Sequence, residues 1–281
     1  MKKLFFYLAG FFLVALILCR FVIGQMRWSD KKAYRVFAAR QVPLSIHDTL
    51  IDGRHLHYAA TGPDSLPTLI FVHGSPGSWF HYMKFMWDSA LRCRFRMISV
   101  DRPGFGYSDF GMPLHLQEQC SLLLRLLRTF KKDKPLFLCG HSYGGPVVVK
   151  LAADAPDLFK TIVVASGAID PDLEEHETWR HLMAYKPLFW YLPGAFQPSN
   201  TEILWIKQDL RELAPDFSRV TCNVLFLHGD RDSWVPIGNV AYGIKMLNHA
   251  VSVRVDTFHD ANHQIPWNRK EDFQKILMTL E

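Results

Sequence analysis

The sequence predicts an α/β protein in which a mostly parallel eight-stranded sheet is flanked by helices and a helical segment is inserted between strands six and seven. Three observations carry that expectation. Short β-rich runs alternate with longer amphipathic stretches, the pattern of strands joined by crossover helices. The runs Thr68-Leu69-Ile70-Phe71-Val72 and Thr161-Ile162-Val163-Val164-Ala165 are continuously apolar, as strands covered on both faces must be. Finally, the interval 168–219 holds no strand-like run. At roughly fifty residues it is too long for an ordinary crossover, so it reads as a helical cap.

Taken in order, residues 1–24 form a separate object. Positions 4–19 hold no charged or strongly polar residue, and the apolar character resumes after Arg20. Counted to Gly24, such a helix would reach roughly 31 Å, about one hydrocarbon core, and Arg20 near its end would extend to the headgroups. The expectation is a single-pass membrane anchor. The competing one is a signal peptide cleaved before Gln25, which would leave a secreted body, since Lys2 and Lys3 supply its basic start. Basic residues stand on both sides of the segment, so the charge count assigns no membrane side.

A basic, aromatic connector over 25–43 leads into the main domain, 44–281. Its expected strands are 44–50, 54–60, 68–73, 95–100, 135–140, 161–166, 222–228 and 251–257. Helical patterns fill 116–130, 144–155, 237–247 and 270–280. The cap at about 168–219 carries Trp179, Tyr185, Phe189, Trp190, Tyr191, Phe196 and Trp205. Most of these are expected to pack it onto the main domain and some to line an apolar cleft.

Composition removes other classes. With 281 residues, 49% hydrophobic and 21% charged, the chain can bury a large core and is not disordered. The net charge is +5, but residues 1–40 alone hold eight Lys/Arg and one acid, so the remainder is slightly acidic. No basic stripe is left for phosphate neutralisation, and nucleic acid is not an expected partner. Five widely spaced cysteines suggest neither a disulfide framework nor a metal site.

The chemistry concentrates in four segments. Gly140-His141-Ser142-Tyr143-Gly144 fits G-x-S-x-G, with an apolar strand running into it and a helical stretch leaving it. That turn lifts a serine hydroxyl out of the sheet, so Ser142 is the candidate nucleophile. His73-Gly74-Ser75-Pro76-Gly77 follows an earlier strand and should lie beside it. The backbone N–H groups of Ser75 and Tyr143 are the candidate oxyanion donors, since Pro76 has none to give. After strand 251–257 come His259 and His263; His263, followed by Gln264-Ile265-Pro266 and a terminal amphipathic helix, is favoured as the base. For the acid that orients it, Gly229-Asp230-Arg231-Asp232 offers two carboxylates. Asp232 has the spacing to carry its side chain round the turn, whereas Asp230 sits where Asp commonly caps its own backbone. Asp170 stands third. His73 and His141 are expected to hold loop geometry rather than transfer protons.

These segments, with Asp101-Arg102-Pro103-Gly104-Phe105-Gly106-Tyr107-Ser108, resemble the α/β-hydrolase superfamily over residues 44 to 281. The resemblance implies a serine hydrolase with a Ser142, Asp232, His263 triad, a cap between strands six and seven, and no cofactor. Its expected substrate is a small, hydrophobic carboxylic ester or related acyl compound. Because position 142 is Ser rather than Asp, the haloalkane dehalogenase and epoxide hydrolase branches, which attack through a carboxylate, are disfavoured. The loop at 73–77 is also similar to that of prolyl aminopeptidases. The same triad serves carbon–carbon bond hydrolysis and perhydrolysis, and the fold also occurs in binding proteins without catalysis.

Overall fold

The computed structural model describes residues 3, 4, 7, 8, 10–12, 14, 15, 17, 24 and 26–281, with the exception of 132, 176 and 187. The anchor expected over 1–24 therefore falls largely outside the described residues. Among those that are described, no helix is long and apolar enough to cross a membrane.

Eight strands form one sheet: β1 (Ser45–Ile51), β2 (Arg54–Thr61), β3 (Thr68–Val72), β4 (Arg96–Val100), β5 (Leu136–His141), β6 (Thr161–Ala165), β7 (Asn223–Gly229) and β8 (Ser252–Phe258). Their order is β1-β2-β4-β3-β5-β6-β7-β8. β1 and β2 close a hairpin through Asp52 and Gly53, both at positive φ, the backbone a two-residue hairpin turn requires. β2 meets β4 antiparallel, and every later pairing is parallel. Register aligns the strand ends, with Val72 opposite Gly140, His141 opposite Ala165, and Ala165 opposite Leu227. The loops that follow β3, β5, β6 and β7 thus emerge along one carboxyl edge, where ligands bind in open parallel sheets.

The pleat splits the core in two. Ile70 and Val72 pack on one face, with Leu123, Leu126 and Leu127 of a helix over Leu116–Arg128 and Val147, Val148 and Leu151 of one over Gly144–Asp154. Leu69 and Phe71 point to the other, against Phe37, Trp79, Tyr82, Phe85 and Phe273. Phe37 belongs to α1 (Asp30–Ala38), which starts where Ser29 accepts from the Lys32 amide and carries Asp30 in its first turn. The connector over 25–43 therefore contains a docked helix. Its periodicity is faint because only Ala33 and Phe37 are buried among exposed basic residues.

Between β6 and β7 the insertion comprises 3₁₀ turns at Pro171–Leu173, Leu188–Tyr191 and Ala214–Arg219 and two helices, Thr178–Ala184 and Phe196–Leu213. The second helix is anchored through Ile206, Leu210 and Leu213. The first buries no residue at all. Trp179, Tyr185 and Trp190 are 48%, 71% and 55% exposed, so these aromatics do not pack the cap down as expected. They leave a large apolar surface exposed on the insertion.

Candidate active site

β5 ends at His141, and Ser142 follows with φ of +55°. That conformation strains a residue bearing a Cβ, at a cost on the order of 1–3 kcal/mol, and persists only because its surroundings impose it. Here the Ser142 amide donates to Ala165 O at 3.0 Å and its carbonyl accepts from Gly145 N at 2.8 Å. Glycine at 144 follows from packing, since a Cβ there would lie 2.4 Å from the Val72 carbonyl oxygen. His141 and Tyr143 are buried while Ser142 keeps partial exposure, which presents the hydroxyl and hides its neighbours.

The 73–77 loop lies directly against this turn. A Cβ on Gly74 would stand only 2.8 Å from Ser142 Cβ, so glycine there allows the two backbones to meet. The Arg102 amide donates to His73 Nε2 at 3.0 Å, which leaves the proton on Nδ1 to be donated to Gly74 O at 2.7 Å. Burial, with Arg102 nearby, drives the His73 pKa well below its ordinary value and keeps the ring neutral. Among the described residues, neither the Ser75 nor the Tyr143 amide donates to a backbone carbonyl. Tyr143 is the N-cap of the Gly144–Asp154 helix, where amides are left unpaired and partial positive charge gathers.

Asp232 follows β7 and is buried. Its Oδ1 accepts from the Trp234 and Val235 amides at 3.0 and 2.9 Å, and its Oδ2 lies 2.8 Å from His263 Nδ1. Burial raises the Asp232 pKa, but the hydrogen bond and charge of His263 and the Val235 amide outweigh it, and the net shift is downward. His263 is 6% exposed, and its ring lies 4.7 Å from the His141 ring and 5.3 Å from that of Trp234. His141 Nε2 donates to the His263 carbonyl at 2.9 Å. Burial, then the neighbouring His263, lowers the His141 pKa to about 3, which keeps it a neutral prop.

The alternative candidates make separate contacts. His259 Nδ1 and Asp230 Oδ2 pair at 3.1 Å, but the His259 side chain is 85% exposed. Asp170 caps the 3₁₀ turn at Pro171–Leu173 by accepting from Asp172 N. Among the described residues no cluster of three or more His, Cys, Asp or Glu could hold a metal ion.

Asp101 and Arg102 hold positions that no motif of the triad marks. Asp101 accepts from the Trp79 and Tyr107 amides at 2.7 and 3.0 Å and pairs with His57 Nδ1 at 2.8 Å, tying strand β2, the 3₁₀ turn at Trp79–Tyr82 and the loop after β4 together. Arg102 reaches the 73–77 loop and forms a buried ion pair with Glu202. The Asp-Arg-Pro-Gly segment at the end of β4 was a visible signal for Asp101 and Arg102. Nothing local marked Glu202.

The model of the alpha/beta hydrolase fold family matches residues 67–212. Among curated proteins, the probable aminopeptidase YbaC of Bacillus subtilis (strain 168) is 30% identical over 129 residues, 41% of this chain and 39% of its own length. Epoxide hydrolase 4 of Mus musculus is 26% identical over 172 residues, 57% of this chain and 44% of its own. The chain spans about two-fifths of the length of these relatives. Among solved structures, a membrane phospholipase A described as a bacterial virulence factor superposes with a TM-score of 0.66 at 19% identity, covering 100% of this chain and 98% of that one. At that identity the likeness is one of fold.

Proposed function

The chain belongs to the alpha/beta hydrolase family, and on that premise we propose that it is a serine hydrolase cleaving a carboxylic ester or related acyl bond of a small hydrophobic substrate. The observation that carries this reading is the buried Asp232–His263 pair, set on the sheet edge from which Ser142 projects. Asp232 occupies Nδ1 of His263, so Nε2 is the atom left to take a proton.

In the proposed reaction His263 Nε2 accepts the Ser142 Oγ proton as that oxygen attacks the acyl carbon. The carbonyl oxygen gains the electron pair and is stabilised by the Ser75 and Tyr143 amides. On collapse the bond to the leaving alkoxide breaks, and His263 returns the proton to it. Water then attacks the acyl-Ser142 ester with His263 again as base, releasing the carboxylic acid and restoring the hydroxyl. No cofactor enters these steps. Epoxide opening through a carboxylate ester lacks its nucleophile at this position, because residue 142 is Ser.

The hydrophobic preference is supported by the exposed apolar side chains of the insertion, including Leu182, Tyr185 and Trp190. Membrane attachment belongs to the same proposal: Leu4, Leu8, Phe11, Phe12 and Ile17 are all exposed, more apolar surface than a solvated segment carries. The deciding experiment is activity-based labelling with a fluorophosphonate. Covalent modification of Ser142, lost in S142A, is the expected result, and an unlabelled wild-type chain would overturn the proposal.

A further inference from the structure

Arg102 is fully buried, and every N–H of its guanidinium is used. Nε donates to His73 O at 2.9 Å; Nη1 donates to Gln119 Oε1 at 3.0 Å and Glu202 Oε2 at 2.8 Å; Nη2 donates to Gly74 O at 3.2 Å and Glu202 Oε1 at 2.7 Å. The guanidinium also lies between two rings, 4.7 Å from the centre of Phe105 and 4.5 Å from that of Tyr143. Glu202 is likewise fully buried and comes from the inserted helix Phe196–Leu213.

Two of the five bonds fall on the loop beside Ser142. The Gly74–Ser75 peptide is trans, so its carbonyl oxygen and its N–H point in opposite directions. Holding Gly74 O from behind, by Arg102 Nη2 and His73 Nδ1, therefore sets where the Ser75 N–H aims. The same inserted helix grips the residue again, since Ser75 Oγ donates to Ser199 Oγ at 2.8 Å, one turn before Glu202. A buried ion pair adds little net stability over an apolar pair of the same shape, so stability alone does not account for this arrangement. A bidentate fork does fix a guanidinium in angle and position.

We propose that Glu202 is a positioning residue: through Arg102 it fixes the plane of the Gly74–Ser75 peptide, wiring the inserted helix to the oxyanion-binding loop. The proposal rests on the serine hydrolase reading above. It predicts that the insertion contributes to transition-state binding without touching the substrate.

The test compares E202Q, E202D and D209N in the full chain. Asp209 links the same helix to the core by a different route, accepting from the Leu116 amide and pairing with His115, with no contact to the 73–77 loop. Glu202→Gln should lower kcat on a p-nitrophenyl ester by about 10- to 100-fold with KM within about threefold, the split expected when an oxyanion donor is misaimed. Inhibition by a boronic acid, whose serine adduct carries its oxygen in the same place, should weaken in parallel. Glu202→Asp, which keeps the charge but breaks the fork, should fall between and carries the test if E202Q fails to fold. D209N should keep wild-type kcat. Equal losses in E202Q and D209N, or wild-type kcat in E202Q and E202D, would overturn the coupling. Fluorophosphonate labelling of wild-type Ser142 tests the underlying reading separately.

Discussion

Asp232 Oδ2 lies 2.8 Å from His263 Nδ1 in a buried contact, while two residues earlier Asp230 pairs with the exposed His259 at 3.1 Å. Two Asp–His pairs thus stand side by side after β7 and β8, and only one is shielded from water. Replacing Asp232 with Asn offers His263 Nδ1 an amide and disturbs its tautomer, so kcat should fall by about 10³- to 10⁴-fold. D230N should change kcat by less than about twofold, its ion pair being exposed. Steady-state ester hydrolysis by the two variants decides between the pairs; a crippled D230N would move the orienting acid to Asp230.

The strained φ of Ser142 supplies a second expectation. S142A removes the proposed nucleophile but keeps the Cβ, so the strain and the packing against Gly74 persist. The variant should lose fluorophosphonate labelling entirely and melt within about 2 °C of the parent, a shift worth less than about 1 kcal/mol for a chain of this size. S142G should be more stable than S142A, because glycine adopts positive φ without penalty. Thermal melts of the pair measure the strain less the extra chain entropy that glycine loses on folding, and an S142G less stable than S142A would mean that the turn stores little.

Much of this architecture was legible because burial on both faces writes strands as unbroken apolar runs. The strand expected at 161–166 is Thr161–Ala165, and that expected at 222–228 is Asn223–Gly229. The serine turn was legible for another reason: its Gly-x-Ser-x-Gly signature is contained in five consecutive residues between an apolar strand and a helix. Where burial is sparse the signal fails, as in Asp30–Ala38, with two buried residues in nine. The segment Trp79–Met86 was missed because a 3₁₀ turn running into a four-residue helix has no sustained period, though it buries Trp79, Tyr82 and Phe85. The Arg102–Glu202 pair joins residues a hundred positions apart, and no window of sequence contains both.

Burial raises the Glu174 carboxyl to about 7, with Glu177 and Asp170 adding to the shift and Lys207 and Arg180 opposing it. The folded chain therefore holds this proton more tightly than the unfolded one, whose glutamates titrate near 4.5. Stability from this group is complete below about 4.5 and is lost as pH rises to about 7, by roughly 1–3 kcal/mol. Glu174→Gln should flatten that loss, leaving the variant more stable than the parent at pH 8 and no more stable at pH 4.5. Melting temperatures across that range test it; parallel curves would exclude Glu174 as the source.

Leu182 and Tyr185, 58% and 71% exposed, can be replaced without opening a cavity. L182S and Y185S should therefore leave the melting temperature nearly unchanged. If this exposed surface engages hydrophobic acyl groups, each should lower kcat/KM on p-nitrophenyl laurate relative to acetate by about 3- to 10-fold, the worth of part of a buried side chain. A chain-length profile unmoved by both substitutions would place the acyl site elsewhere.

The point at which the leader can be removed without harming the body is set by contacts of residues 24–28. Gly24 O accepts from Ala195 N at 3.2 Å, Met26 O accepts from Ser78 Oγ at 2.8 Å, and Arg27 Nη1 donates to Gly106 O at 2.9 Å. The Arg27 guanidinium also lies 4.2 Å over the Tyr107 ring. A chain starting at Gly24 keeps all of these, whereas one starting at Trp28 loses them, at a cost of about 1–3 kcal/mol. Both should still be labelled at Ser142, and the shorter should melt several degrees lower. If residues 1–24 anchor the protein, both should leave the membrane while the full chain resists a carbonate wash, which strips electrostatic binding but not a spanning helix. Mass spectrometry of the native N-terminus separates the two fates of the leader: Met1 would accompany a retained anchor, and Gln25 a cleaved signal and a secreted hydrolase.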